Sequence, residues 1–309
     1  MVTDVVAKWK TDHFRDRFGI MSTSETPEQQ KTARWGGLSE YHGFFRRQAR
    51  RREVQPMSGR AAVVLAAGKG VRMKSDLPKV LVPVHGRAMI HYVLDALDAI
   101  NIERIIVVVG YRADLVRTEL SQRANVEFAE QNEQLGTGHA VQMCGEALAG
   151  HEGTVLILAG DSPMVQASSL QAVFSEFDRR QPACLLGTLI HEDPTGLGRI
   201  LRDADGQFDG IVEHNDATEQ QREINEVNMS TYLFSGPQLL WALSQLSNDN
   251  AQGEYYLTDC PGILKAAGHY IMAAPVLQAC EALSINTPLQ LKVVEDALDA
   301  MSPANREKT

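Results

Sequence analysis

What this chain lacks narrows the field first. No two of its four cysteines, Cys144, Cys184, Cys260 and Cys280, stand close together, so neither the short paired spacing of a zinc site nor a disulfide framework is written into it. They read as reduced thiols, mostly buried. No apolar run approaches the roughly 20 residues that a membrane span needs. Asp4 stands where a secretory leader would carry a basic and then an apolar stretch, and the cytoplasm is the expected compartment. Positive charge is in deficit: 30 Lys and Arg against 39 Asp and Glu leave a formal net charge of -9, which argues against a general nucleic-acid binder. A phosphate-bearing substrate must then be met by a few local cations. What is present is material for a core, since 309 residues at 44% hydrophobic suffice for one large α/β domain or two modest ones.

The stretch up to about Ser58 differs from the rest. It is polar, without sustained apolar periodicity, and basic towards its end at Arg46, Arg47, Arg50, Arg51 and Arg52. It reads as a solvated tail, or as translated sequence ahead of a start at Met57, and the competing reading is a basic arm for a partner or an anionic surface. The expected division is an extension over 1–58 and a folded domain over 59–309. From Ala61 onward, short β-branched runs (AAVVLAA, RIIVVVG, VEFAEQ, TVLILAGD) alternate with amphipathic stretches such as HYVLDALDAI. Runs of this kind suit strands buried on both faces, and the alternation implies βαβ crossovers, hence a doubly wound α/β domain with a mainly parallel sheet. Beyond Pro182 the pattern is mixed: ACLLGTLI, a hairpin across RILRDADGQFDGIVEH turning at Asp205 and Gly206, STYLF, two helices and a strand near IMAAPV. That half is expected to supply a smaller antiparallel region. The helix PLQLKVVEDALDAM should pack back on the domain.

The first strand runs into Ala67, Gly68, Lys69, Gly70, Val71, Arg72 and Met73. A glycine-bearing turn at the carboxyl end of a parallel strand is where open α/β sheets bind ligands. Glycine lets backbone N–H groups approach a phosphate, and Lys69 and Arg72 add positive charge. The segment is not a Walker A loop, because Gly70 stands where Ser or Thr is needed, and the dinucleotide fingerprint fails at Met73. Alone, it is equally well a tight turn that only needs glycine.

It does not stand alone. LAAGKGVRM over 65–73 is followed by DLPK over 76–79, QNEQLGTGHA over 131–140, GDSP over 160–163, DPTGLGRI over 193–200, IVEH over 211–214, EVN over 226–228, NAQGEYYLTD over 250–259 and IN over 285–286. This ordered series resembles the sugar-phosphate nucleotidylyltransferases, and within them the pyrophosphorylase domain of the bifunctional N-acetylglucosamine 1-phosphate uridylyltransferases. The likeness runs from about Ala61 to the chain end. It implies a Rossmann-like nucleotide-diphospho-sugar transferase fold, UTP and N-acetylglucosamine 1-phosphate as substrates, and Mg²⁺ as cofactor.

The resemblance also implies roles. Leu65, Ala66, Ala67, Gly68, Lys79, Gln131, Gly136 and Thr137 would hold the nucleotide, with the Gln131 amide reading the pyrimidine edge. Lys79 would lean on the phosphates and Arg72 on the departing pyrophosphate, as the catalytic cations. Gly160, Asp161, Gly198, Glu213, Asn228 and Asn286 would line the sugar side, and Asp161 with Asn286 would hold the metal. Each has a plainer reading. Gln131 after a strand is often solvent-facing; Asp161 suits an N-cap before a helix near Ser168, or a turn; Asn286 suits a cap and Asn228 a cap or turn; Glu213 suits a solvent-side strand position. His139 and His214 read as structural, because an already anionic phosphate needs no general base.

Departures from the family pattern occur at Ala159, at Met229 and Ser230 after Asn228, and at Ser284 and Pro288 around Asn286. They bear on sugar choice and on the metal corner. No hexapeptide repeat follows Asn286, so no acetyltransferase half is expected. Two other functions remain open: transfer to another sugar 1-phosphate or from another nucleotide, and a non-catalytic nucleotide-sugar binder.

Overall fold

The computed structural model describes residues 59–301 apart from residue 74; the extension over 1–58 lies outside them. The strand β1 (Arg60–Leu65) owes its position to composition. Ala61, Ala62, Val63 and Val64 are each fully buried, and only a strand covered by neighbours on both edges and both faces accepts such a run. It pairs in parallel with β4 (Arg104–Val109) on one side and β6 (Thr154–Ala159) on the other. Alternation then divides the side chains. Ala62 and Val64 join the apolar layer containing α1 (Ile90–Ala99), α2 (Ala113–Glu119) and α4 (Ala167–Arg180). Ala61 and Val63 join the opposite layer with α3 (Thr137–Gln142), α6 (Gly236–Ser244) and α7 (Asp259–Ala266). Each large aliphatic side chain sealed here contributes about 1.5–3 kcal/mol of transfer free energy.

Two short strands, β2 (Pro83–Val84) and β3 (Arg87–Ala88), form a separate hairpin. The main sheet runs β11 (Ile271–Ala274), β7 (Cys184–Ile190), β10 (Glu226–Ser235), β6, β1, β4, β5 (Val126–Glu130). Of these only β10 opposes its neighbours, pairing antiparallel with β6 and β7. The hairpin β8 (Gly198–Arg202) and β9 (Phe208–Val212) attaches to the start of β10. Its turn is where the sequence puts it: Gly206 N–H donates to Asp203, whose carboxylate accepts from the Asp205 and Gln207 amides. The expected doubly wound, mainly parallel sheet with a smaller antiparallel region is therefore present.

One strand departs from expectation. VEFAEQ is not buried on both faces: β5 is an edge strand paired only with β4, and Val126, Glu127 and Phe128 stay accessible. Glu127 instead joins Arg104, at 2.6 Å, and Glu130 joins Arg117, at 3.0 Å, charges that suit an unpaired edge. A single turn, α5 (Glu219–Arg222), lies between β9 and β10. Helix α8 (Pro288–Met301) takes the span its apolar spacing predicts. It packs through Val294 onto Met73, Val82, Val84, Met89 and Met164. Cys144, Cys184 and Cys260 are buried free thiols and Cys280 is half-buried. No helix among the described residues is long and apolar enough to cross a membrane.

Candidate active site

The chain leaves β1 towards β4 and β5, then returns to β6 on the other side of β1. Such a reversal opens a crevice at the carboxyl ends of the strands. Leu65 and Ala159 face each other in register there, and Gly160 N–H donates to Leu65 O at 2.9 Å. Two segments therefore leave the sheet side by side: the glycine loop after β1 and the turn carrying Asp161 after β6.

The loop folds back on itself. Lys79 N–H reaches Gly68 O at 3.4 Å, and Met73 N–H reaches Gly70 O at 2.9 Å. Gly70 has a φ of 66°, and a Cβ there would stand 2.7 Å from the Lys79 Cβ, so both conformation and space demand glycine. Gly68 differs: its φ is not left-handed, and a Cβ would meet nothing within 4 Å. Neither packing nor backbone conformation calls for glycine at 68, whereas a phosphate approaching the main chain would.

Lys79 is thereby aimed at Asp161. Its ammonium forms an ion pair with Asp161 Oδ2 and donates to Asn286 Oδ1 at 2.9 Å. Arg72 donates to the same Asn286 oxygen at 2.9 Å. Lys69, expected to add charge to this loop, instead lies over the Tyr111 ring at 5.2 Å. The capping readings of the acidic corner do not hold, while Asp161 does sit in a turn after β6. Helix α4 starts at Ala167 with Gln166 before it, so Asp161 is not its cap. The cap of α8 is Thr287, whose hydroxyl accepts from Gln290 N–H at 3.3 Å, so Asn286 is free of that role. The Asn286 backbone donates to Gln290 Oε1, and its Nδ2 donates to Ser284 Oγ at 3.2 Å. A departure from the family pattern, Ser284, thus holds the amide with its oxygen turned to Lys79. Pro288 fits the first position of α8, where no N–H is required.

Among the described residues no cluster of three or more His, Cys, Asp or Glu side chains converges on one point. The fit to a divalent cation therefore rests on two oxygens, one carboxylate and one amide, already brought together by the Lys79 ammonium as a stand-in cation. That donor set is hard and sparse, the kind Mg²⁺ completes with water and phosphate oxygens.

On the β5 side, Gln131 is 3% exposed and not solvent-facing. Its Nε2 donates to Gly136 O at 3.0 Å and lies 3.1 Å from His139 Nδ1. Gly136, with φ 102°, has no room for a side chain: a Cβ would stand 2.4 Å from Tyr255 O. The Thr137 hydroxyl accepts from Leu257 N–H at 3.2 Å, which ties this corner to the 250–258 segment. Ala66 N–H and Ala67 O are occupied by Val108 and Tyr111.

Across the crevice, three expected sugar-side residues meet. Asn228 pairs with Gly198 between β10 and β8, and a Cβ at Gly198 would lie 3.5 Å from both carboxylate oxygens of Glu213. Glu213, just past the end of β9, is exposed, as its plainer reading has it, yet desolvation by its surroundings raises its pKa above the ordinary carboxylate value, with Asp216 adding to the shift. Asn228 also closes a bulge: its Nδ2 lies 2.8 Å from the Tyr232 hydroxyl and its Oδ1 accepts from Ser230 N–H at 3.2 Å. His214, read as structural, lies 3.4 Å from Arg199 Nη2. The departures Ala159 and Met229 line one small cleft together with Ser162, Thr231 and Leu277. Sequence reasoning missed Tyr232 and the contact of His139 with Gln131, and it marked Ser284 only as a departure, without its bond to the Asn286 amide.

Comparison with known proteins places the chain. The model of the MobA-like NTP transferase domain matches residues 62–224. The bifunctional protein GlmU of Exiguobacterium sp. is 46% identical over 236 residues, 76% of this chain and 52% of that protein. The bifunctional protein GlmU of Listeria monocytogenes is 44% identical over 236 residues, 76% of this chain and 51% of that one. The chain thus spans about half the length of the curated relatives it matches. The crystal structure of HddC from Yersinia pseudotuberculosis superposes with a TM-score of 0.57 at 19% identity, covering 77% of this chain and 99% of that one, and shares the fold. On the match over residues 62–224, the chain belongs to the family of the MobA-like NTP transferase domain.

Proposed function

We propose that the chain transfers the uridylyl group of UTP to N-acetylglucosamine 1-phosphate, giving UDP-N-acetylglucosamine and pyrophosphate, with Mg²⁺ held by Asp161 and Asn286. The observation that carries this reading is the convergence of Arg72, Lys79, Asp161 and Asn286 in the crevice beside the open flank of Gly68. The identity of the substrates rests on the resemblance of the motifs.

In the displacement, a phosphate oxygen of the sugar 1-phosphate attacks the α-phosphorus of UTP. The bond from that phosphorus to the bridging oxygen breaks, and pyrophosphate leaves with the electron pair. The attacking oxygen is already anionic near neutral pH, so no residue need take a proton. Lys79 and Arg72 offset the charge that builds on the α-phosphoryl group and on the leaving group. Backbone at Gly68 lets the phosphates come close; Gln131 meets the base; Gly198, Glu213 and Asn228 receive the sugar. Bound to Asp161 and Asn286, Mg²⁺ would supply further positive charge to the phosphate oxygens. Holding two anions in line is most of the catalytic task.

The test is pyrophosphate release across UTP, dTTP, CTP and GTP, each with several sugar 1-phosphates. UTP with N-acetylglucosamine 1-phosphate should exceed every other pair in kcat/KM by at least about tenfold. Dominance of another pair, or no release from any, overturns the assignment.

A further inference from the structure

The Gln131 side chain can present only one face to a ligand, and the reason lies in its neighbours. A backbone carbonyl can only accept, so the 3.0 Å contact with Gly136 O identifies which end of the amide is the nitrogen. That nitrogen carries two hydrogens. The second points to His139 Nδ1 at 3.1 Å, which must offer a lone pair there, so the neutral imidazole carries its proton on Nε2. The His139 ring is itself seated, 6.2 Å from the Tyr255 ring, and Tyr255 is tied to the start of α3 by Gly138 N–H at 2.8 Å.

Both amide hydrogens are thus committed inside the protein. Among the described residues nothing donates to Gln131 Oε1, although the residue is 3% exposed. Among the described residues the fully sealed unpaired side-chain atoms are Thr154 Oγ1 and Arg199 Nε; Gln131 Oε1 is not one of them and keeps a trace of exposed surface. A nearly buried amide left with one unpaired acceptor is arranged for a donor from outside.

We propose that His139 is a positioning residue that selects the nucleobase: by accepting from Gln131 Nε2 it holds the amide oxygen outward, towards a base edge that donates. This rests on the reading above that Gln131 meets the base. Where Oε1 meets position 3, uracil and thymine offer it an N–H, whereas cytosine, whose donor is its 4-amino group, sets a lone pair against those of Oε1. A site that leaves such polar atoms unpaired rejects the wrong partner more strongly than shape alone.

Two variants separate this from a merely structural role. His139→Phe keeps a ring beside Tyr255 but has no acceptor, and His139→Asn keeps an acceptor oxygen in a similar place. In His139→Phe the UTP over CTP ratio of kcat/KM should fall about tenfold, chiefly through a rise in KM for UTP with kcat unchanged. His139→Asn should keep the ratio within about threefold of wild type. Thermal unfolding checks that each variant is folded. In the unliganded wild-type protein, nitrogen-15 histidine spectra should report His139 protonated on Nε2. An unchanged ratio in folded His139→Phe, or a proton on Nδ1, overturns the inference. If the wild type binds neither UTP nor CTP by calorimetry, the proposed function fails and base selection with it, while the histidine spectrum still decides the tautomer.

Discussion

Lys79 donates to Asn286 Oδ1 at 2.9 Å while its ammonium also pairs with Asp161, so one cation bridges the end of β6 and the approach to α8. The carboxylate is the only anion in this bridge. Asp161→Ala should therefore leave the proposed cation to a neutral amide oxygen, water and phosphates. With several kcal/mol of metal stabilisation at stake in the transition state, kcat should fall on the order of a thousandfold, while contacts at Gln131 and the β1 loop keep UTP affinity within about tenfold. Asn286→Ala should show a weaker form of the same pattern. Turnover under titrated Mg²⁺, with calorimetric UTP binding alongside, decides it. Retention of more than about a tenth of wild-type kcat by Asp161→Ala would show that Asp161 is not the principal ligand.

Ser230 has a φ of 53° in the bulge between Asn228 and Thr231, a left-handed conformation that glycine takes without cost. It is also one of the departures from the family pattern. Ser230→Gly should raise stability by about 1 kcal/mol, which in a domain of this size moves Tm by about 2–4 °C. Scanning calorimetry of the two proteins reads the shift. The Ser230 amide bond to Asn228 Oδ1 involves only backbone N–H, so the variant keeps it and the sugar side should be undisturbed.

How far the sequence discloses this protein depends on where each signal resides. Strands β1, β4 and β6 are legible because burial on both faces leaves unbroken apolar runs. VEFAEQ misleads: its Val126, Phe128 and Ala129 suggest a covered strand, but Glu127 and Glu130 announce the edge. The motif residues after β1 and β6 gather at the carboxyl ends of those strands, since loops at strand ends are set by topology. The supports around them are not legible. His139 stands beside Gln131, Ser284 beside the Asn286 amide, and Tyr232 on Asn228 only because turns and a bulge fold them there. Ala159 and Met229, far apart in sequence, line one cleft only once β6 and β10 are paired.

Desolvation, with a contribution from Asp216, raises the Glu213 pKa above its ordinary 4.5. Between the unfolded value and the raised folded one, the native state holds a proton that the unfolded chain does not. Stability contributed by this group thus falls as pH rises through that interval and is lower at neutral pH. Glu213→Gln should then be more stable than wild type at pH 7, with the advantage shrinking on acidification towards 4.5, read from urea unfolding at both ends. If the carboxylate also receives sugar hydroxyls, the wild-type KM for the sugar phosphate should rise as pH falls through the same interval. The Gln variant should show a flat profile.

The glycines of the β1 loop offer the sharpest separation of fold from function. At Gly70, an alanine would carry both the left-handed φ of 66° and a Cβ 2.7 Å from that of Lys79. Gly70→Ala should cost about 1–2 kcal/mol and displace Lys79 from Asp161 and Asn286, lowering stability and kcat together. At Gly68 the backbone accepts any residue and a Cβ meets nothing within 4 Å. Gly68→Ala should leave stability unchanged or raise it by up to about 1 kcal/mol, through a less flexible unfolded chain. Yet the added methyl would stand beside main chain that the proposed reaction assigns to phosphates. Turnover with UTP should therefore drop at least about tenfold in a protein that unfolds no earlier than wild type, with KM for UTP raised. Thermal unfolding and steady-state kinetics on the pair give the contrast. If Gly68→Ala is as active as wild type, no phosphate passes that flank, and the nucleotide does not lie along the carboxyl end of β1.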